Sequence, residues 1–189
     1  MSLPPDLQSI VDQIETVERR ADEVSQGVTD EEFFWQPDGG RRWSVAQCLD
    51  HLAAGVEVYV TTLTPVIADA RRRGVPRRDP AKPGFFGQKF VNSLEPPVKM
   101  KGKAPNKILP RPKRTRDEIM TAFHGGHAAF RRLVAECADI DTNAVTFPNP
   151  FITFVKMKVS TALNVIPAHA RRHVLQASNV VAALRAPSP

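Results

Sequence analysis

The chain has 189 residues, 42% of them hydrophobic and 24% charged, a balance that excludes a disordered tail and a membrane-embedded bundle and suits one domain spanning residues 1–189. The formal net charge is +6, yet residues 71–116 carry 15 Lys/Arg against two acidic residues, while the remainder carries 11 against 18. A basic insertion therefore interrupts a mildly acidic body, and 17 prolines against 10 glycines predict sharply punctuated connections.

The opening MSLPPDLQSIVDQI lacks the basic-then-apolar layout of an export signal, and no apolar run is long enough for a membrane span, so a cytoplasmic protein is expected. Residues 6–26 place Leu7, Ile10, Val11, Ile14, Val17, Ala21 and Val24 on one stripe of a 3.6-period helix, which Gly27 stops. Thr29 and Glu32 form a capping-box pattern that starts a short element ending near Phe34, followed by a Pro-Gly turn over residues 36–42.

Ser44 and Gln47 repeat the capping pattern, and Val45, Cys48, Leu49, Leu52, Val56, Val60, Leu63 and Ile67 continue a second long helix over 44–72, with Pro65 expected to kink it. From Arg73 to Arg114 eight prolines break any sustained period. GFFGQKFVNSLE is the one stretch there that suits a short helix against the body, and the segment is the expected place for disorder. Thr115 and Glu118 cap a third long helix over 115–138, with Ile119, Met120, Phe123, Phe130, Leu133, Val134 and Cys137 on its stripe. A fourth is predicted over 154–184, where Pro167 should bend the axis. Four long amphipathic helices predict an all-α, four-helix bundle with a long basic crossover loop between helices 2 and 3.

Cys48 and Cys137 fall inside apolar helical patterns and lie far apart, which makes neither a disulfide scaffold nor a cysteine zinc knuckle; both read as buried thiols. The chemical signal is in the histidines. His169 and His173, in PAHARRHV, are four apart on a helix, which stacks two imidazoles on one face about 6 Å apart at their bases. His51 falls in the apolar stripe of the second helix, where an imidazole needs a partner. Either it ligates a metal with the other two, or it is a satisfied core histidine bonded to Asn164, Gln47 or a carbonyl. Three imidazoles on two helices leave coordination positions open for water or substrate, and a set without Cys, Asp or Glu favours zinc or nickel. His124 and His127, in FHGGHAAF, follow a helix-weakening Gly-Gly step and are read as lining a pocket mouth or facing solvent.

The string FFWQPDGGRRWSVAQCLDHLAAG resembles the DinB/YfiT-like superfamily, with Trp35, Pro37, Trp43, Ser44, His51 and Leu52 at the places of its Trp-x-Pro and Trp-Ser…His-Leu motifs. HARRHVLQ is similar to the closing His-x-x-x-His of that family, followed by Gln176. The resemblance implies a four-helix bundle holding a divalent metal on His51, His169 and His173. It also implies low-molecular-weight-thiol chemistry with mycothiol, bacillithiol or glutathione, as a transferase or isomerase. Ala170 stands where many relatives have Glu, so any base supplied there is missing from this chain.

Asn164, Gln176 and Trp43 are the candidates for the pocket or for contacts to the ligands, and Arg171 and Arg172 are expected to point away or sideways. Trp35 and Trp43 either pack the connection against the helix ends or wall a ligand. A metal-dependent hydrolase is the alternative to a thiol-dependent transferase. A non-catalytic metal-binding or dimerising bundle with weak polyanion affinity is a further one, since RRR and KMKGK in the crossover would attract phosphates. No recognition helix is apparent. The expected partner is a small, anionic substrate, with no specific nucleic acid, no membrane, and a homodimer as the expected association.

Overall fold

The computed structural model describes residues 2–97 and 103–186. Helix α1 (Pro5–Gln26) is followed by α2 (Asp30–Phe34), the single turn α3 (Pro37–Gly40) and α4 (Val45–Arg72). The crossover holds α5 (Phe85–Leu94) and a 3-10 turn, η1 (Asn106–Ile108), before α6 (Arg116–Glu136). A hairpin of β1 (Thr146–Pro148) and β2 (Lys156–Lys158) then leads into α7 (Val159–Arg185). All three predicted capping boxes form, with the Thr29, Ser44 and Thr115 hydroxyls accepting from the amides of Glu32, Gln47 and Glu118. The 36–42 turn is tight because Asp38, Gly39 and Gly40 all take positive φ, which two glycines make inexpensive.

The protein is mostly helical. α4 packs against α6 and α7, and α1 packs against the same two from the other side, so the four long helices close a ring with α1 diagonal to α4. Its interior has two apolar halves. One gathers Leu7, Ile10 and Ile14 with Leu63, Ile67, Phe130 and Leu163; the other gathers Val17, Ala21, Leu49, Phe123, Val174 and Ala177. Cys48 and Cys137 are buried free thiols, as their apolar surroundings require. α4 is the one described helix long and apolar enough to cross a membrane, and half of that stretch is inside this core.

The fourth long helix starts at Val159 rather than near residue 154. Its expected first turn is instead the second arm of the hairpin, in register Thr146↔Lys158, Phe147↔Met157 and Pro148↔Lys156. Phe147 and Met157 are buried while their neighbours are exposed, a period of two that three residues cannot reveal against the helical pattern beside them. The Asn149 side chain accepts from the amides of Phe151 and Ile152, which fixes the turn and leaves Phe154 in solvent.

The described parts of the crossover are stapled to the body. Asp6 accepts from Arg77 and from the amide of Ala81, Asn143 accepts from the amide of Lys82, and α5 lies on α7. Much of the KMKGK run lies outside the described residues. Gly125 and Gly126 do not interrupt α6. A Cβ on Gly126 would sit 2.5 Å from Val56 Cγ1, so this glycine permits the close approach of α6 to α4. Gly126→Ala should cost about 1–3 kcal/mol through overpacking; a urea midpoint equal to that of the parent protein would refute that account of the contact.

Candidate metal centre

His51 comes from the second turn of α4 and is 2% exposed, while His169 and His173 come from the middle of α7. One ligand nitrogen from each lies within 4.8 Å of the others, and the Nε2 atoms of His51 and His169 are 3.1 Å apart. Two imidazoles bound at about 2.0–2.1 Å to one ion at a tetrahedral angle would have nitrogens roughly 3.3 Å apart. The donor set thus fits a divalent ion in spacing as well as chemistry.

Contacts beyond the cluster fix the tautomers. His51 Nδ1 lies 2.5 Å from the carbonyl of Ile108, and a carbonyl only accepts, so Nδ1 holds the proton and Nε2 is bare. His173 Nδ1 donates in the same way to Gln176 Oε1 at 3.0 Å. In both cases a hydrogen bond behind the ring turns the free lone pair toward the cluster, the arrangement that orients metal-binding histidines. Trp43 closes one side, its ring 4.8 Å from that of His51 and 5.7 Å from that of His173.

Burial pushes the pKa of His51 below the usual imidazole value, against the Ile108 carbonyl and Asp50, which pull it up. Burial and the neighbouring imidazoles hold His169 well below that value. Burial first, then His51 and Arg172, depress His173 to about 3 despite its bond to Gln176. All three are therefore neutral at pH 7, the state in which imidazole ligates.

The end of the crossover holds the Ile108 carbonyl in place. Asp50, beside His51 and 1% exposed, accepts from the Arg111 amide at 2.5 Å, from Arg111 Nη2 at 2.7 Å and from Arg114 Nη1 at 2.9 Å. Burial alone would raise this carboxyl; the Arg111 and Arg114 hydrogen bonds outweigh it and keep the pKa low. The basic crossover, expected from sequence to be the place for disorder, supplies the contact behind one candidate ligand. Sequence reasoning missed Asp50, Arg111 and Ile108, because only the fold brings residues 61 and 57 positions away back to α4.

The other candidates separate. Gln176 and Trp43 stand at the cluster. Asn164 does not: its amide donates to the Ser160 carbonyl, one turn back along α7, and reaches toward Ala81, so it ties the crossover to α7. Trp35 stays partly on the surface. Arg171 points away, paired with Glu95 and Gln13. Arg172 lies near enough for its charge to lower the pKa of all three histidines. His124 is on the surface against Asp22 and Glu18. His127 is buried to 1% exposure, its ring tilted 56° against that of Phe123 at 4.3 Å, and burial pushes its pKa to about 4.

Neutral burial has a measurable sign. An unfolded histidine protonates below about pH 6.5, whereas folded His127 and His173 resist protonation until about pH 4 and 3. The stability of the metal-free protein should therefore be complete above pH 6.5 and fall below it, by roughly 1.4 kcal/mol per pH unit for each such histidine. Urea denaturation in chelator at pH 7.5, 6.0 and 5.0 measures this, and a flat profile would mean that the imidazoles are charged or solvated.

Neither a curated protein nor a solved structure matches the chain. A family model does match, described as the DinB superfamily, over residues 13–177, a span that runs from α1 through α4 and both α7 histidines. The chain belongs to the DinB superfamily.

Proposed function

We propose that the helical ring is a metal-dependent four-helix bundle in which His51, His169 and His173 hold one zinc or nickel ion, and that its activity is transfer chemistry with a low-molecular-weight thiol. The observation that carries this reading is the convergence of three neutral imidazoles, two of them with the outer nitrogen already donated to Ile108 or Gln176. When bound, the ion supplies Lewis acidity, which lowers the pKa of a thiol or water enough to ionise it near neutral pH.

The remaining chemistry falls to the chain. Ala170 offers no carboxylate, and Asp50 is committed to Arg111 and Arg114 and held ionised by them. The described residues of the cluster thus include no carboxylic general base. A thiol or a water ionised by Lewis acidity needs no protein base to attack an electrophile, so it is the resemblance to thiol-dependent relatives that favours thiol transfer over hydrolysis. Arg172 adds positive charge, which favours the thiolate of glutathione, mycothiol or bacillithiol, or an anionic electrophile.

A groove of ≈ 500 Å³ lined by Ala54, Glu57, Lys107, Arg111 and Asn149 runs beside α4 one turn from His51, in the size range of small-molecule sites. Trp43 would shield the histidines from solvent on the other side. A second groove of ≈ 480 Å³ between α1 and α7 includes Arg171 and lies on the opposite face of α7.

The test is elemental analysis of untagged protein, followed by a screen of the three thiols against small electrophiles with zinc- and nickel-loaded protein. Metal retention with thiol consumption supports the proposal. Metal retention with water-dependent cleavage and no thiol dependence would favour the hydrolase. Retention with neither activity would favour a binding or dimerising bundle.

A further inference from the structure

The three candidate ligands are not equally supported from behind. His51 and His173 donate their outer N–H to Ile108 and Gln176. His169 turns Nε2 toward His51, so as a ligand it carries its proton on Nδ1, and no acceptor for that proton is present among the described residues. That edge of the ring faces Gly55, where a Cβ would lie 3.8 Å from Nδ1. Metal-binding histidines nearly always donate this proton to something.

Gly55 borders a small cavity at the seam between the two apolar halves, shared by Leu52, Tyr59, His127, Ile166 and His169. Its room for the centre of a water-sized sphere is ≈ 10 Å³, about what one water needs. His127 reaches this cavity from α6. Its Nδ1 lies 2.8 Å from the Phe123 carbonyl, an acceptor only, so Nδ1 holds the proton and Nε2 presents a bare lone pair. Among the described residues nothing donates to that lone pair and nothing bonds the Tyr59 hydroxyl. A small, mostly apolar cavity with a donor, an acceptor and a hydroxyl on its walls still offers the two to four partners that an ordered water requires.

We propose that His127 is a positioning residue for the metal centre: one buried water accepts the Nδ1–H of His169, donates to Nε2 of His127, and takes the Tyr59 hydroxyl as its third partner. His127 is not a fourth ligand here, because the group of side chains whose ligand nitrogens lie within 4.8 Å of one another comprises His51, His169 and His173 without it. The water would do for His169 what Ile108 and Gln176 do for the other two rings. The close approach of α6 to α4 at Gly126 then has a purpose at the site, since it sets His127 against the seam.

This inference rests on His169 being a ligand. Zinc affinity of the full chain, by competition with a chromophoric chelator, would be compared for the parent protein, His127→Leu, His127→Gln and His124→Ala. His127→Leu should weaken zinc about 10–100-fold, the usual cost of losing an outer-shell partner. His127→Gln, whose amide oxygen can still accept from the water, should recover most of it, and His124→Ala should change nothing. Nitrogen-15 NMR of the zinc-loaded parent should also show a slowly exchanging His169 Nδ1–H in contact with a long-lived water. Equal affinity for His127→Leu overturns the proposal. Should that variant not fold, a parent spectrum without the protonated Nδ1 or the water contact does the same. A parent protein that takes up no zinc removes the ligand assignment itself, a result distinguishable from the other two.

Discussion

Zinc content should fall from about one ion per chain to none when His51, His169 or His173 is replaced by alanine, while His124→Ala keeps its metal. The separation is sharp because the three imidazoles form one cluster, whereas His124 is at the surface with Asp22 and Glu18. The same set should divide in thermal melts. A ligand that binds only the folded state stabilises it by RT ln(1 + [L]/Kd), about 4 kcal/mol at a thousandfold excess over Kd. Chelator should therefore lower the melting temperature of the parent and of His124→Ala but leave the three alanine variants unmoved. Mass spectrometry under native conditions reads the stoichiometry, and unchanged metal content in the triple variant would remove the site.

Asp50→Ala should be the most damaging single change outside the cluster, at about 3 kcal/mol or more. It takes the carboxylate from two partly buried guanidiniums and from the Arg111 amide at once, and deleting one partner of a buried ion pair costs far more than the pair's net worth. Among the described residues Arg111 then keeps a longer contact to Glu57, at 3.5 Å. Because this anchor lies three residues past Ile108, the variant should also release the carbonyl from His51 and weaken zinc about 10–100-fold. Urea titration gives the first effect and chelator competition the second. Loss of stability with full zinc affinity would show that η1 holds its place without Asp50.

Helix positions were legible wherever the signal was local. The capping hydroxyls of Thr29, Ser44 and Thr115 sit three residues before their Glu or Gln partners, and periodic apolar stripes run between them, so the long helices follow from neighbours in sequence. The same locality placed His169 and His173 on one face. It failed at residues 154–158, where Phe154 and Val155 read as the start of a stripe although three-residue pairing with Thr146–Pro148 prevails. It failed again at Asn164, whose partner turned out to be the α7 backbone. The Asp50 clamp and the seam at His127 depend on chain segments tens of residues apart, and no window of sequence contains both sides.

The distance between His51 and His169 along the chain bears on how the protein is made. These rings meet across 118 positions, and closing a loop of that length costs roughly 4 kcal/mol of chain entropy before any contact rewards it. In the nascent chain the two α7 histidines are neighbours and His51 is remote, so the complete donor set exists only after the helices have docked. An ion that recognises all three then acts as a latch on a finished fold rather than a template for it. Added zinc should slow unfolding while leaving the refolding rate nearly unchanged, and a cell starved of metal would still accumulate folded, empty protein ready to be charged.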